Sequence, residues 1–239
     1  MDGLFTLIVS YLRQLARQSV HVYRKDMLVE WRSPSRFLGV LFFAFALIFM
    51  VAFASNTTDV MRRQAGGSIW IGLLLASTRS LDQSFAAEME HGALEGQVLW
   101  PVAPPAIFFG KAFANASILF VVGLVLTPFA LALFDVTPRG SLLELGAFLF
   151  FGSTALAAPG TLLTAITSQA RGSSVLLPLL MFPLVVPILM AAAKGTSLVL
   201  LPDVMDQSTA WLVALIVFNV IHWPLSALLF GPVVEGGTH

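Results

Sequence analysis

The chain has 239 residues, 57% of them hydrophobic and 11% charged, with 13 Lys and Arg against 13 Asp and Glu. Soluble domains carry roughly a quarter charged residues, so this composition excludes a water-soluble globular protein and marks a membrane protein, and the zero net charge offers nucleic acid no basic surface. No cysteine occurs, which removes disulfides, thiolate metal sites and a thiol nucleophile.

Residues 1–36 form the first unit. In DGLFTLIVSYLRQLARQSVHVYRKDMLVEWRSPSR, a step of about 100° per residue puts Leu4, Ile8, Tyr11, Leu15 and Val22 on one side and Arg13, Arg17 and Arg24 on the other. This predicts an amphipathic helix lying in the membrane interface, its basic face toward anionic head groups. An ordinary helix packed on the bundle is the alternative. Ser33-Pro34 breaks the helix and turns the chain into the bilayer. No removable signal peptide is recognisable, because the early apolar residues are interleaved with Arg and Gln, so the first span is expected to act as its own insertion signal.

Residues 37–239 form the second unit, an all-α membrane domain. A spanning helix needs about 20 mostly apolar residues, and candidates fall at 37–55, 66–77, 113–134, 145–167, 174–193 and 211–231, six spans in all. The second has a short apolar core and must extend through Arg79 or cross a thin region. Lys and Arg collect on cytoplasmic flanks. With the N-terminus inside, that side holds Arg13, Arg17, Arg24, Lys25, Arg32, Arg36, Arg79, Lys111 and Arg171, against Arg62, Arg63, Arg139 and Lys194 outside. Both termini are then cytoplasmic.

Between the second and third spans, residues 79–105 read RSLDQSFAAEMEHGALEGQVLWPVAPP, an unusual concentration of charge for this chain. A helix over residues 84–99 puts Phe85, Met89, Gly92, Gly96 and Leu99 on one side, with Glu88 and Glu95 on a neighbouring face. Such a helix at a membrane mouth suits docking of a soluble partner; a merely solvated loop is the alternative. Each glycine costs the helix about 1 kcal/mol against Ala, so close packing or a bend is expected there. Pro101, Pro104 and Pro105 end the helix.

Further along, Pro178, Pro183 and Pro187 predict a kinked or deformable fifth span, each removing a backbone hydrogen bond, and Pro159-Gly160 the same in the fourth. Residues 194–210, KGTSLVLLPDVMDQSTA, hold an apolar run too short to cross and are expected in the outer interface or dipping partly into the bilayer. His222 lies within NVIHWPL beside Trp223. Histidine is a common haem ligand, but a packing histidine with Pro224 loosening the local backbone is the simpler reading. The eight methionines are flexible packing rather than ligands.

The run Glu88-Met89-Glu90-His91-Gly92-Ala93-Leu94-Glu95, followed by Pro101-Val102 and Lys111, resembles the stretch after the second span of type-2 ABC transporter permeases. More narrowly, RSLDQSFAAEMEHGALEGQVLWPVAPPAIFFGKAFAN is similar to the haem exporter protein B family of cytochrome c maturation, and PGTLLTAITSQARGSSVLLPLLMFPLVVPILMAA agrees with it. The resemblance implies a type-2 permease fold of six transmembrane helices behind an N-terminal interfacial helix, in the bacterial inner membrane. It implies a separate ATP-binding subunit, other cytochrome c maturation membrane subunits and two copies of this chain in the complex. It further implies a coupling helix seated in the ATPase, a role falling on Glu88, Gly92, Leu94 and Glu95, with Arg79 and Asp82 passing the motion to the second span. Haem is then cargo, whether exported or released on a loaded chaperone, with no firmly bound cofactor and no metal site. His222 and Trp223 are the candidate haem contacts.

ATP would enter only through the partner, since no G-x-x-x-x-G-K-[ST] phosphate loop occurs. An ion-coupled secondary transporter of a small molecule is the alternative, and it needs ionisable groups near the bilayer midplane. The apolar cores of the six spans hold no Asp or Glu; Asp82, Asp135 and Glu144 sit at ends. No H-E-x-x-H or G-x-S-x-G motif suggests catalysis, and His21, His91, His222 and His239 are scattered.

Overall fold

The computed structural model describes residues 2–32, 34–55, 57–90, 102–169, 176–201 and 207–236. Among them it forms seven α-helices: α1 Asp2–Arg32, α2 Pro34–Ala54, α3 Thr58–Glu90, α4 Pro104–Leu133, α5 Leu142–Gln169, α6 Leu176–Leu200 and α7 Ser208–Gly236. Helices satisfy their own backbone groups, the requirement inside a bilayer. Where the chain turns, proline sets the start: α2 begins on Pro34 and α4 on Pro104-Pro105, at positions whose N–H has no partner within the helix anyway.

Five of these helices, α2 and α4 to α7, are long and apolar enough to cross a membrane. The multi-pass membrane class is therefore plain, while the second expected span, within α3, falls short of that apolarity. It is long, at 33 residues, but Arg62, Arg63 and Gln64 crowd one end and Arg79 and Asp82 the other. Its middle is nonetheless the centre of the bundle. Ile69, Trp70 and Leu73 are fully buried, and α3 packs against α2, α4, α5 and α6. The outward faces are apolar instead: Phe42 is 75% and Phe53 82% exposed, as a lipid-facing surface requires.

Close helix contact depends on small residues, since lipid tails compete with any apolar side chain. A side chain at Gly152 of α5 would collide with the Trp70 indole, and one at Gly66 of α3 with Ser197 and the Ala193 carbonyl of α6. Trp70 Nε1–H donates to Thr196 Oγ1 at 2.9 Å, a buried tie between α3 and α6.

The structure corrects three expectations. Residues 84–90, expected to open a separate helix, instead prolong α3, which runs unbroken from Thr58 to Glu90; residues 91–99 of that expected helix lie outside the described residues. Residues Lys194 to Leu200 are not a separate interfacial segment: they prolong α6, because the apolar run Ser197-Leu198-Val199-Leu200 packs where the fifth span already points. Finally, Pro178 lies in the first turn of α6, where the N–H has no intrahelical partner to lose, so only Pro183 and Pro187 interrupt the hydrogen bonding of that helix.

Candidate functional site

At one end of the bundle α1 lies along the first turns of α4, immediately after the acidic segment. Ser19 is buried there and Leu15 and Val22 are half-buried, whereas Arg13, Arg17 and Arg24 are exposed. The basic side thus faces outward as the periodicity predicts, and the Leu15–Val22 side packs on a neighbouring helix. Gly110 makes this possible: any side chain there would strike Val22 and the Ser19 carbonyl.

Polar contacts lock the same surface. Lys111 is buried in α4, with its Nζ 3.6 Å from Asp26 Oδ2, while Lys25 Nζ sits 3.2 Å from Asp26 Oδ1. The Ala103 N–H donates to Gln18 Oε1 at 3.3 Å, satisfying a donor at the start of α4, and the Tyr23 and Ser117 hydroxyls share a hydrogen bond of 3.3 Å. A buried cation is tolerated only with such partners. Sequence reasoning missed this pair, although two signals were present. Lys111 stands inside an apolar run, and Asp26 continues the Leu15, Ser19, Val22 stripe at spacings of four, three and four residues.

Arg79, Asp82 and Glu88 all lie on α3, whose backbone continues to Glu90; their side chains lie outside the described residues, as do Gly92, Leu94 and Glu95 altogether. What the structure supplies is the backbone link: the helix that carries Glu88 is the same one that buries Trp70 and Leu81.

His222 and Trp223 sit far along the sequence on α7, half-buried. The His222 Nδ1–H donates to the Phe218 carbonyl at 3.0 Å, and the ring lies flat on Phe218 with centroids 3.5 Å apart. Trp223 Nε1–H donates to Asn219 Oδ1, and the indole packs against Phe109 and Phe113 of α4. The Trp223 indole therefore serves the α4–α7 contact, whereas His222 is held within α7 by Phe218. Among the described residues no three His, Asp or Glu side chains are grouped to hold a metal ion.

An all-helical bundle with five strongly apolar helices, a lipid-facing exterior and a polar seam at one end defines the chain as a multi-pass membrane protein. Residues 17–230 match the family model described as CcmB protein, and the chain belongs to that family. It is similar to the heme exporter protein B of Rhodobacter capsulatus, 32% identical over 171 residues, which is 71% of this chain and 78% of that one. The heme exporter protein B of Pseudomonas aeruginosa is 26% identical over 217 residues, covering 90% of each chain. That of Paracoccus denitrificans is 31% identical over 174 residues, 72% of this chain and 78% of its own.

Proposed function

We propose that this chain is the membrane subunit of a haem exporter serving c-type cytochrome assembly in the bacterial inner membrane. Two copies pair with two separate ATP-binding subunits, alongside other cytochrome c maturation membrane proteins. In this reading α3 is the second of six spans, buried by its neighbours rather than by lipid, and both termini are cytoplasmic. α1 rides in the inner interface with Arg13, Arg17 and Arg24 toward the head groups.

The observation that carries the coupling reading is the continuity of α3. A helix is stiff along its axis, and here one helix joins the segment bearing Glu88 to the packed centre at Trp70. An ATPase that seats Glu88, Gly92, Leu94 and Glu95 would push α3 along its axis through Arg79 and Asp82, and α3 would carry the motion into four neighbouring helices. The cargo step, haem export or release of a haem-loaded chaperone, follows from that displacement. Trp223 acts in this scheme by holding α7 on α4, with His222 beside it as the candidate haem contact.

Affinity purification of tagged protein in mild detergent, with mass spectrometry and an ATPase assay, tests the coupling. The wild type should bring down an ATP-binding subunit, and the Glu88→Lys, Glu95→Lys variant should insert normally but lose it. Retention of the ATPase by the variant sinks the coupling role. Deleting the protein should abolish haem-stained c-type cytochrome bands and leave b-type cytochromes intact; normal c-type bands would remove the assignment to haem.

A further inference from the structure

At the end of the bundle opposite α1, a groove of about 840 Å³ opens between α2, α3 and α6. Its floor is Gly67 and Ile71 of α3, its walls include Val51 of α2 and Val186 and Met190 of α6, and Arg63 and Lys194 stand at its head. The volume is that of a small-molecule site. It opens sideways, toward where acyl chains lie: Ile71 is 47%, Val186 40% and Met190 54% exposed.

The two cations are out of place for a passive lipid-facing groove. Lys194 is not at a helix end: α6 continues to Leu200, so six further residues, about 9 Å of helix, lie beyond it. Arg63 is inset into α3 by a similar amount, starting from Thr58. Gly66 holds the two helices together at this level, since its Cα faces Ala193 and Ser197. The neighbouring Arg62 is neutralised by Asp135. Neither Arg63 nor Lys194 forms an ion pair among the described residues. Ionisable groups inside spanning helices are costly and usually meet a specific partner.

We propose that this groove holds an anionic phospholipid, its phosphate between Arg63 and Lys194 and an acyl chain running down over Gly67 and Ile71. Lipid is the occupant that the geometry favours. A second copy docked through this same face would set two cations against two cations, because a two-fold contact pairs a patch with itself. A haem in the groove would find only the Met190 thioether near its iron, since no histidine lines it. A phosphodiester with a long apolar tail matches both the charge at the head and the sideways opening. The proposal makes no use of the haem reading and stands or falls separately from it.

Gly67 supplies an independent handle. A Cβ added there meets no atom within 4 Å, unlike one at its jammed neighbour Gly66, so Gly67→Leu projects into the open groove.

The test is native mass spectrometry of the full chain, titrated with phosphatidylglycerol and with phosphatidylcholine of identical acyl chains. The wild type should bind phosphatidylglycerol about tenfold more tightly, the scale of one or two head-group contacts with basic residues. Arg63→Gln, Lys194→Gln should lose that preference, and Gly67→Leu should weaken binding with both cations still present. Equal binding of the two lipids by the wild type, or full phosphatidylglycerol binding by Gly67→Leu, overturns the proposal. So does haemin that displaces phosphatidylglycerol from the wild type at stoichiometric amounts, which would assign the groove to a carboxylated macrocycle.

Discussion

Asp135 adopts a left-handed backbone, at φ 51°, just past the end of α4, with the Val136 N–H on the Leu131 carbonyl at 2.9 Å. This is the helix stop usually built with glycine, and a short polar side chain pays less for it than most. Asp135 is kept while its carboxylate meets Arg62 on α3, an exposed pair worth under about 1 kcal/mol. Asp135→Gly and Asp135→Ala both lose that pair, so their difference isolates the backbone: thermal unfolding in detergent should rank Gly above Ala by about 1 kcal/mol. Asp26 is the opposite case. Asp26→Asn leaves buried Lys111 without its carboxylate and should cost roughly 3 kcal/mol, most of it recovered in Asp26→Asn, Lys111→Met. If the double variant unfolds no later than the single one, the pair is not what holds α1 on α4. The positions of these side chains were legible in the sequence, but their partners were not. Lys111 reads simply as a cytoplasmic cation until the stripe ending in Asp26 is laid along α4.

Helix identity was largely readable from apolar runs and proline breaks, and helix length was not. α3 outran its apolar core at both ends because tertiary burial of Ile69, Trp70 and Leu73 holds together a helix whose ends are polar. α6 outran its expected stop at Ala193 because a single Lys looks like a boundary in a hydropathy scan, whereas a lysine stem can lie along a helix and leave it intact. The packing detail was hidden further still: Gly152 is one glycine among 18, and only the fold sets Trp70 against it. Gly152→Ala should destabilise the bundle by about 1–3 kcal/mol through overpacking. Thr196→Val, which removes the acceptor for the Trp70 N–H, should cost about 1 kcal/mol. Thermal shifts of the two detergent-solubilised variants decide this, and wild-type behaviour of Gly152→Ala would mean the indole can move aside.

For the whole molecule, the cysteine-free sequence allows orientation to be measured directly. Trp31→Cys, 87% exposed at the end of α1, should resist a membrane-impermeant thiol reagent added to intact spheroplasts. Arg139→Cys, exposed between α4 and α5, should react; the reverse pattern inverts the proposed topology. The membrane class came from composition alone, since a chain this apolar needs no knowledge of contacts to be placed in a bilayer. The buried Lys111 also bears on how the molecule is made. α1 leaves the ribosome well before α4, which carries Lys111 buried at its start. Asp26 is therefore made before the buried cation it meets, and the surface that closes around Lys111 is complete only once both helices are present.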